Sequence, residues 1–142
     1  MTGAHGIVVL ADRVFDADIL EPADDFLILP GGMPGALNLR NCEPLCNLLI
    51  EHNRRNAPIA AICAAPFVLG ELGILQGRKA TCYPGFEGKL TGAVVTGNHV
   101  ECDANVVTAN GPAASMDFAF SMVERMKGNA VVNALREAMM FV

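Results

Sequence analysis

The stretch Ile59-Ala60-Ala61-Ile62-Cys63-Ala64-Ala65-Pro66 passes from a short apolar run into a thiol, two alanines and a proline. The apolar run is typical of a buried strand, and proline is favoured in the first turn of a helix, so the pattern places Cys63 at a strand-to-helix turn. The positive end of a helix dipole favours the thiolate form of cysteine. Cys63 is therefore the candidate nucleophile, although a cysteine at a strand end is often only a small core residue.

Strand and helix patterns alternate on both sides of this stretch. Strands are predicted at 7–10, 26–29, 59–62, 79–83, 93–96, 100–102 and 106–109, and the first two of these are predicted to be buried. Helices are predicted from Pro44 to the Arg54-Arg55 pair and at 65–72, 112–127 and 130–140. This alternation predicts an α/β domain with a mostly parallel sheet.

Composition narrows the class of protein. The chain has 142 residues, 52% of them hydrophobic and 18% charged, which fits one domain with a real core. Its net charge of −5 disfavours nucleic acid and anionic membranes as partners, and no apolar run is long enough to span a bilayer. The N-terminus shows no signal-peptide pattern, so a cytoplasmic location is expected.

The cysteines point away from a disulfide framework and a metal site. Five cysteines are an odd number, which suits reduced thiols. Cys42 and Cys46 are four residues apart, but no second pair completes the four ligands of a zinc site. We expect neither a metal nor a cofactor.

Three segments that follow predicted strands are candidates for chemistry, because ligands of open parallel sheets bind at the carboxyl ends of the strands. These segments are 30–35, 63–66 and 110–112. The backbone amides of Gly32 and Ala64 are plausible donors to an oxyanion. The Gly31-Gly32 pair by itself is chiefly a turn signal. If the strands at 26–29 and 59–62 are neighbours in the sheet, Gly32 and Cys63 face one pocket.

Taken together, three motifs resemble the ThiJ/PfpI superfamily from about residue 3 to about residue 126. They are Leu29-Pro30-Gly31-Gly32-Met33-Pro34-Gly35, Ala60-Ala61-Ile62-Cys63-Ala64-Ala65-Pro66 and Thr108-Ala109-Asn110-Gly111-Pro112. The resemblance implies a flavodoxin-like three-layer sandwich that forms homodimers. It also implies an oxidation-prone nucleophile at Cys63 with oxyanion contacts from Gly32 and Ala64.

The resemblance suggests two functions and a set of pocket residues. The leading one is glyoxalase- or deglycase-like action of Cys63 on small reactive carbonyls, the 2-oxoaldehydes. The alternative is a redox-sensing or chaperone-like stress protein that uses oxidation of Cys63. Tyr83 stands where some relatives carry a histidine near the cysteine, and it either contacts a ligand or only packs. Gly111 and Pro112 are the other pocket candidates.

The chain departs from the family pattern in two places. Protease-type members carry a histidine directly after the cysteine, and Ala64 stands there, so a peptidase or amidase is poorly supported. The family's first strand-helix-strand unit, with a glutamate that contacts the cysteine, has no counterpart in residues 1–142. Nothing in the spacing selects Glu71, Glu87, Asp12 or Asp103 as a substitute. We therefore expect an N-terminally incomplete single domain with open strand edges and weak turnover.

Overall fold

The computed structural model describes residues 1–3, 5–16 and 25–141. Along the chain, the strands are β1 (Leu27–Leu29), β2 (Ile59–Ile62), β3 (Lys79–Ala80), β4 (Val94–Val95), β5 (Val100–Asp103) and β6 (Val106–Ala109). The helices are α1 (Gly35–Arg40), α2 (Glu43–Arg54), α3 (Pro66–Glu71), α4 (Ser115–Lys127) and α5 (Asn129–Ala138).

The main sheet has the order β1-β2-β6-β5. β1, β2 and β6 are parallel, with Leu27 opposite Ile59 and Ile59 opposite Val106. β5 runs antiparallel to β6, and β3 and β4 form a separate two-stranded parallel sheet. The predicted mostly parallel α/β architecture is confirmed, and it brings the carboxyl ends of β1, β2 and β6 to one edge.

Two apolar clusters cover opposite faces of the main sheet, since successive side chains of a strand point to opposite faces. Ile59 and Ala61 of β2 belong to the cluster that includes α3 and Leu49 of α2. Ala60 belongs to the other cluster, together with Phe118 of α4. The sheet is therefore the middle of three layers.

A polar cluster ties the elements together at the amino ends of the strands. Asn105 is fully buried; its Nδ2 donates to the carbonyl oxygen of Ala57 at 2.7 Å, and its Oδ1 accepts from Arg78 at 2.7 Å. Arg78 also donates to Asn53 Oδ1 at 3.1 Å. These side-chain bonds join the C-terminal end of α2 to the segments that enter β2, β3 and β6.

The prediction of a buried strand at 7–10 is wrong. Ile7, Val8, Val9 and Leu10 are all exposed, and the segment joins neither sheet. Its backbone pairs with the first residues of the chain, through a bridge between Thr2 and Val8 and a bond from the Val9 amide to the Met1 carbonyl oxygen. This local hairpin leaves the apolar side chains without a covering layer.

Other predicted elements differ from the structure only in their ends. The strands predicted at 79–83 and 93–96 are only two residues long. The helix predicted at 112–127 begins with a 3₁₀ turn, Pro112–Ala114, before α4. None of the helices in the described ranges combines the length and apolar composition that crossing a bilayer requires.

Candidate functional site

Cys63 lies at the sharp turn between β2 and α3. Its φ is 65°, in the left-handed region that side-chain-bearing residues rarely adopt, and its amide donates to the Ala109 carbonyl oxygen at 2.8 Å. The side chain is partly exposed. The predicted strand-to-helix position is confirmed: the strained turn puts a reachable thiol at the carboxyl edge of the parallel strands, where such residues cluster in functional sites.

Gly31 packs directly against the cysteine. A Cβ atom built on Gly31 would lie 2.5 Å from Cys63 Cβ, 3.2 Å from Cys63 Sγ and 2.8 Å from the Ile62 carbonyl oxygen. Only glycine fits this contact, because real Cβ atoms do not approach other atoms so closely. The sequence does not single out Gly31 for this contact, because the Gly31-Gly32 pair indicates a turn and not which glycine packs against the thiol.

Tyr83 and Gly111 complete the surroundings of Cys63. The Tyr83 amide donates to the Cys63 carbonyl oxygen at 2.8 Å. A Cβ on Gly111, just after β6, would lie 3.5 Å from the Tyr83 ring. Tyr83 is itself exposed, as is Pro112, which follows Gly111. The structure thus brings Cys63, Gly31, Tyr83 and Gly111 into one neighbourhood, built from the segments that follow β1, β2, β3 and β6.

The proposed oxyanion donors flank this neighbourhood in sequence. Gly32 follows Gly31 and has a φ of 83°, and Ala64 follows Cys63 and is buried. Their amides are one residue from the atoms in contact. Their role as donors, and the role of Tyr83, Gly111 and Pro112 in a ligand pocket, stay predictions.

Cys82 is a second thiol close to the site. Burial, the Glu87 carboxylate and Cys63 raise the pKa of Cys82 to about 11. Cys82 is buried and directly precedes Tyr83, and with this raised pKa its thiol is neutral at physiological pH. Cys46 is also buried, and its Sγ donates to the Arg40 carbonyl oxygen at 3.1 Å. Cys63 therefore differs from both in its access to solvent.

Three of the four carboxylates that could replace the family's glutamate already have hydrogen-bond or ion-pair partners. Glu71 pairs with Arg40 at 3.0 Å and with Lys89 at 3.6 Å. Asp103 accepts from the Lys79 amide at 2.8 Å, and Glu87 accepts from the Gly85 amide at 2.7 Å. Of these three carboxylates, Glu87 also helps to raise the pKa of Cys82. Across residues 1–3, 5–16 and 25–141, no group of three or more His, Cys, Asp or Glu side chains is placed to hold a metal ion.

A parallel α/β sandwich with a thiol at a strained strand-to-helix turn, packed against a glycine from the neighbouring strand, defines a class of cysteine-centred α/β proteins. Residues 1–125 match the model of the DJ-1/PfpI family, and the chain belongs to that family.

Relatives and solved structures agree with this assignment. Protein DJ-1 homolog B of Arabidopsis thaliana is 40% identical over 126 residues, which are 87% of this chain and 28% of that protein. Glutathione-independent glyoxalase DJR-1.2 of Caenorhabditis elegans is 33% identical over 120 residues, 83% of this chain and 63% of that protein. The structure of oxidized Toxoplasma gondii DJ-1 superposes with a TM-score of 0.88 at 29% identity, covering 98% of this chain and 76% of that one.

The match covers only part of the relatives. The chain spans 28% and 32% of the lengths of the two Arabidopsis relatives, DJ-1 homologs B and A. Activities, substrates and partners of such proteins therefore enter below as proposals.

Proposed function

We propose that Cys63 is a nucleophile that adds to small 2-oxoaldehydes such as methylglyoxal, in a glyoxalase- or deglycase-like reaction. The observation that carries this proposal is the packing of Cys63 at a strained turn against Gly31, with an accessible thiol. A relative that is 33% identical over 120 residues bears the name of a glyoxalase, which supports the substrate class.

The first step of this proposal uses the Cys63 thiolate and two backbone amides. The Cys63 thiolate attacks the aldehyde carbon, a C–S bond forms, and the carbonyl π electrons move to oxygen as an alkoxide. The Gly32 and Ala64 amides donate hydrogen bonds to that oxygen, since preorganised amides stabilise developing charge. The glycine contact leaves the space beside Cys63 without a side chain at position 31.

The later steps need a base that moves a proton. General acid–base assistance contributes about 10²- to 10⁴-fold to rates. Glu71 and Asp103 are committed to other partners, and no carboxylate of this chain matches the family's glutamate motif. We therefore expect the 142-residue polypeptide to form the adduct with methylglyoxal but to turn it over weakly.

A methylglyoxal-consumption assay tests this proposal, with adduct formation followed by intact mass. Cys63→Ser should abolish both the adduct and the residual turnover, whereas the matched control Cys102→Ser, at an exposed thiol on β5, should change neither. Adduct formation that survives in Cys63→Ser contradicts the nucleophile assignment. Vigorous Cys63-dependent turnover contradicts the claim that a missing base limits the rate.

A redox-responsive or chaperone-like role is the second candidate, and the accessible thiol favours it. Peroxide would transfer one oxygen to the Cys63 thiolate and leave as hydroxide, giving a sulfenic acid. The similar Toxoplasma gondii structure is of an oxidized DJ-1. Mild peroxide followed by peptide mass mapping should place oxygen on Cys63 before Cys46 or Cys82, which are buried. Uniform oxidation of the thiols would count against a sensor.

The proposal extends to location and assembly. We place the protein in the cytoplasm and expect it to act as a homodimer, without nucleic acid or membrane partners. The free cysteines support a cytoplasmic location. The net charge of −5 supports the absence of nucleic acid and anionic membrane partners.

A further inference from the structure

A second cysteine, Cys82, lies beside Cys63 on the segment that leads out of β3. The Tyr83 amide, which directly follows Cys82, donates to the Cys63 carbonyl oxygen at 2.8 Å. For a straight hydrogen bond of this kind, covalent geometry places the Cα atoms of Cys63 and Cys82 within about 6 Å of each other. Disulfides join cysteines whose Cα atoms are about 4.4–6.8 Å apart, so the backbone holds this pair at bonding range.

The two thiols interact but differ in their access to solvent. Burial contributes most to the raised pKa of Cys82, followed by the Glu87 carboxylate and then by negative charge on Cys63. Cys82 is only 5% exposed, whereas Cys63 is partly exposed. An oxidant in solution therefore reaches Cys63 first, while the Cys82 thiol next to it stays reduced.

The other three cysteines lie elsewhere in the fold. Cys42 and Cys46 are at the start of α2, where the Cys46 Sγ donates to the Arg40 carbonyl oxygen at 3.1 Å. Cys102 is on β5, and β6 separates that strand from β2. Cys82 is therefore the thiol placed to react with an oxidised Cys63 in the same molecule.

We propose that Cys82 captures Cys63 after its oxidation by hydrogen peroxide, forming a Cys63–Cys82 disulfide within one chain. This inference rests on the redox-responsive role proposed above for Cys63. The Cys63 thiolate first takes one oxygen from the peroxide; the O–O bond breaks, hydroxide leaves and a sulfenic acid remains. The Cys82 sulfur then loses its proton and attacks the Cys63 sulfur. The S–S bond forms, the S–O bond breaks, and the departing hydroxide takes up the proton as water.

The high pKa of Cys82 makes this capture a competition. Only a small fraction of the Cys82 thiol is ionised near neutral pH, although its position beside Cys63 gives it a high effective concentration. A second peroxide molecule competes for the sulfenic acid and converts it to a sulfinic acid, which thiols do not reduce. Low peroxide should therefore give the disulfide, which a thiol reductant reverses, and excess peroxide should give the sulfinic acid.

Peptide mass mapping of the full chain tests the proposal. Trypsin cleaves after Arg78 and Lys79, so it separates the peptide that carries Cys63 from the one that carries Cys82. With equimolar hydrogen peroxide, the oxygen first placed on Cys63 should give way over time to a cross-linked pair of these peptides, which dithiothreitol separates. Cys82→Ala should lose the cross-link completely and keep oxygen on Cys63. The matched control Cys46→Ala removes a thiol of similar burial and should retain the cross-link.

A variant at the surface guards against misfolding. Glu87 is exposed, and its Oε2 accepts from the Gly85 amide at 2.7 Å, a bond that glutamine can keep. Glu87→Gln removes a charge that raises the pKa of Cys82, so the disulfide should form faster than in wild type. Glu137→Gln, at an exposed position on α5, is the matched control and should leave the rate unchanged.

The other outcomes separate this proposal from the role on which it rests. If Cys63 gains oxygen equally in wild type and Cys82→Ala and no cross-link forms, capture by Cys82 is refuted and the redox role of Cys63 stands. If peroxide leaves Cys63 unmodified, the redox role fails as well. A rate of cross-linking that Glu87→Gln does not raise excludes the Cys82 thiolate as the attacking group. A cross-link found only in covalent dimers contradicts closure within one chain.

Discussion

The carboxyl edge around Cys63 and the outer edge at β1 both contain apolar residues, yet the apolar residues are buried at the first edge and exposed at the second. Beside Cys63, Ala64 and Ala109 are buried, and Gly31 packs so closely that a side chain at that position would clash with Cys63. At the outer edge, Ile28 and residues 7–10 are exposed. The difference lies in neighbours: β2 has a parallel strand on each side, whereas β1 has one on one side only within the described residues. Apolar composition buries a segment only when a partner is present.

The largest contrast is expected from truncating a phenylalanine in each region. Phe67 in α3 is buried, and its ring centroid lies 5.9 Å from that of Phe86. Phe15 lines an apolar groove along β1 and is 45% exposed. Phe67→Ala should lower the free energy of unfolding by about 3–5 kcal/mol because it leaves a cavity. Phe15→Ala should cost about 1 kcal/mol or less. Urea unfolding of both variants measures the contrast, and equal losses would show that the outer edge is covered after all.

A methyl group added beside Cys63 should have the next largest effect. Gly31→Ala forces its Cβ against Cys63 and the Ile62 carbonyl oxygen, so it should destabilise the fold by about 1–3 kcal/mol and alter alkylation of Cys63 by iodoacetamide. Gly35→Ala is the matched control, since nothing lies within 4 Å of its added Cβ. If Gly31→Ala behaves like Gly35→Ala in both measurements, the close packing of the site is refuted.

The smallest effect concerns the pH dependence of stability near the site. The pKa of Cys82 is raised from 9.0 to about 11, chiefly by burial. Below pH 9 the thiol is neutral in the folded and unfolded chains alike. Between about 9 and 11 the unfolded chain releases this proton while the folded chain keeps it, so the free energy of unfolding falls, by something on the order of 1 kcal/mol.

Denaturant unfolding from about pH 8 to about pH 11 measures this fall, since the range begins below the pKa of the unfolded chain and reaches the pKa of the folded one. The part due to Cys82 should disappear in Cys82→Ala and persist in Cys42→Ala, because Cys42 lies at the outer β1 edge, among the residues that line the groove there. An identical pH profile for wild type and Cys82→Ala would rule out the neutral buried thiol.

Several elements could be predicted because sequence and surroundings agree. β2 and β6 are short apolar runs that the structure buries almost completely, and α2 carries proline in its first turn and apolar residues on one face. The position of Cys63 at the end of β2 followed from the same pattern. Here the local signal and the covering layers specify one answer.

The failures have a common physical origin in long-range pairing. Residues 7–10 have the composition of a buried strand, but composition does not say whether a sheet edge is within reach, and here the segment pairs with residues 1–3. The contact between Gly31 and Cys63 depends on the register of β1 against β2, which places Leu29 opposite Ala61. A single sequence carries no signal for that register.

The left-handed backbone at Cys63 sets two selective demands against each other. Glycine would adopt a φ of 65° without the penalty that a Cβ brings, so the wild-type chain gives up conformational free energy to hold a thiol at this position. Selection for stability alone would favour glycine at position 63, whereas selection for a thiol would keep the cysteine in spite of this conformation. The conformational cost should be visible as a higher free energy of unfolding in Cys63→Gly than in Cys63→Ala.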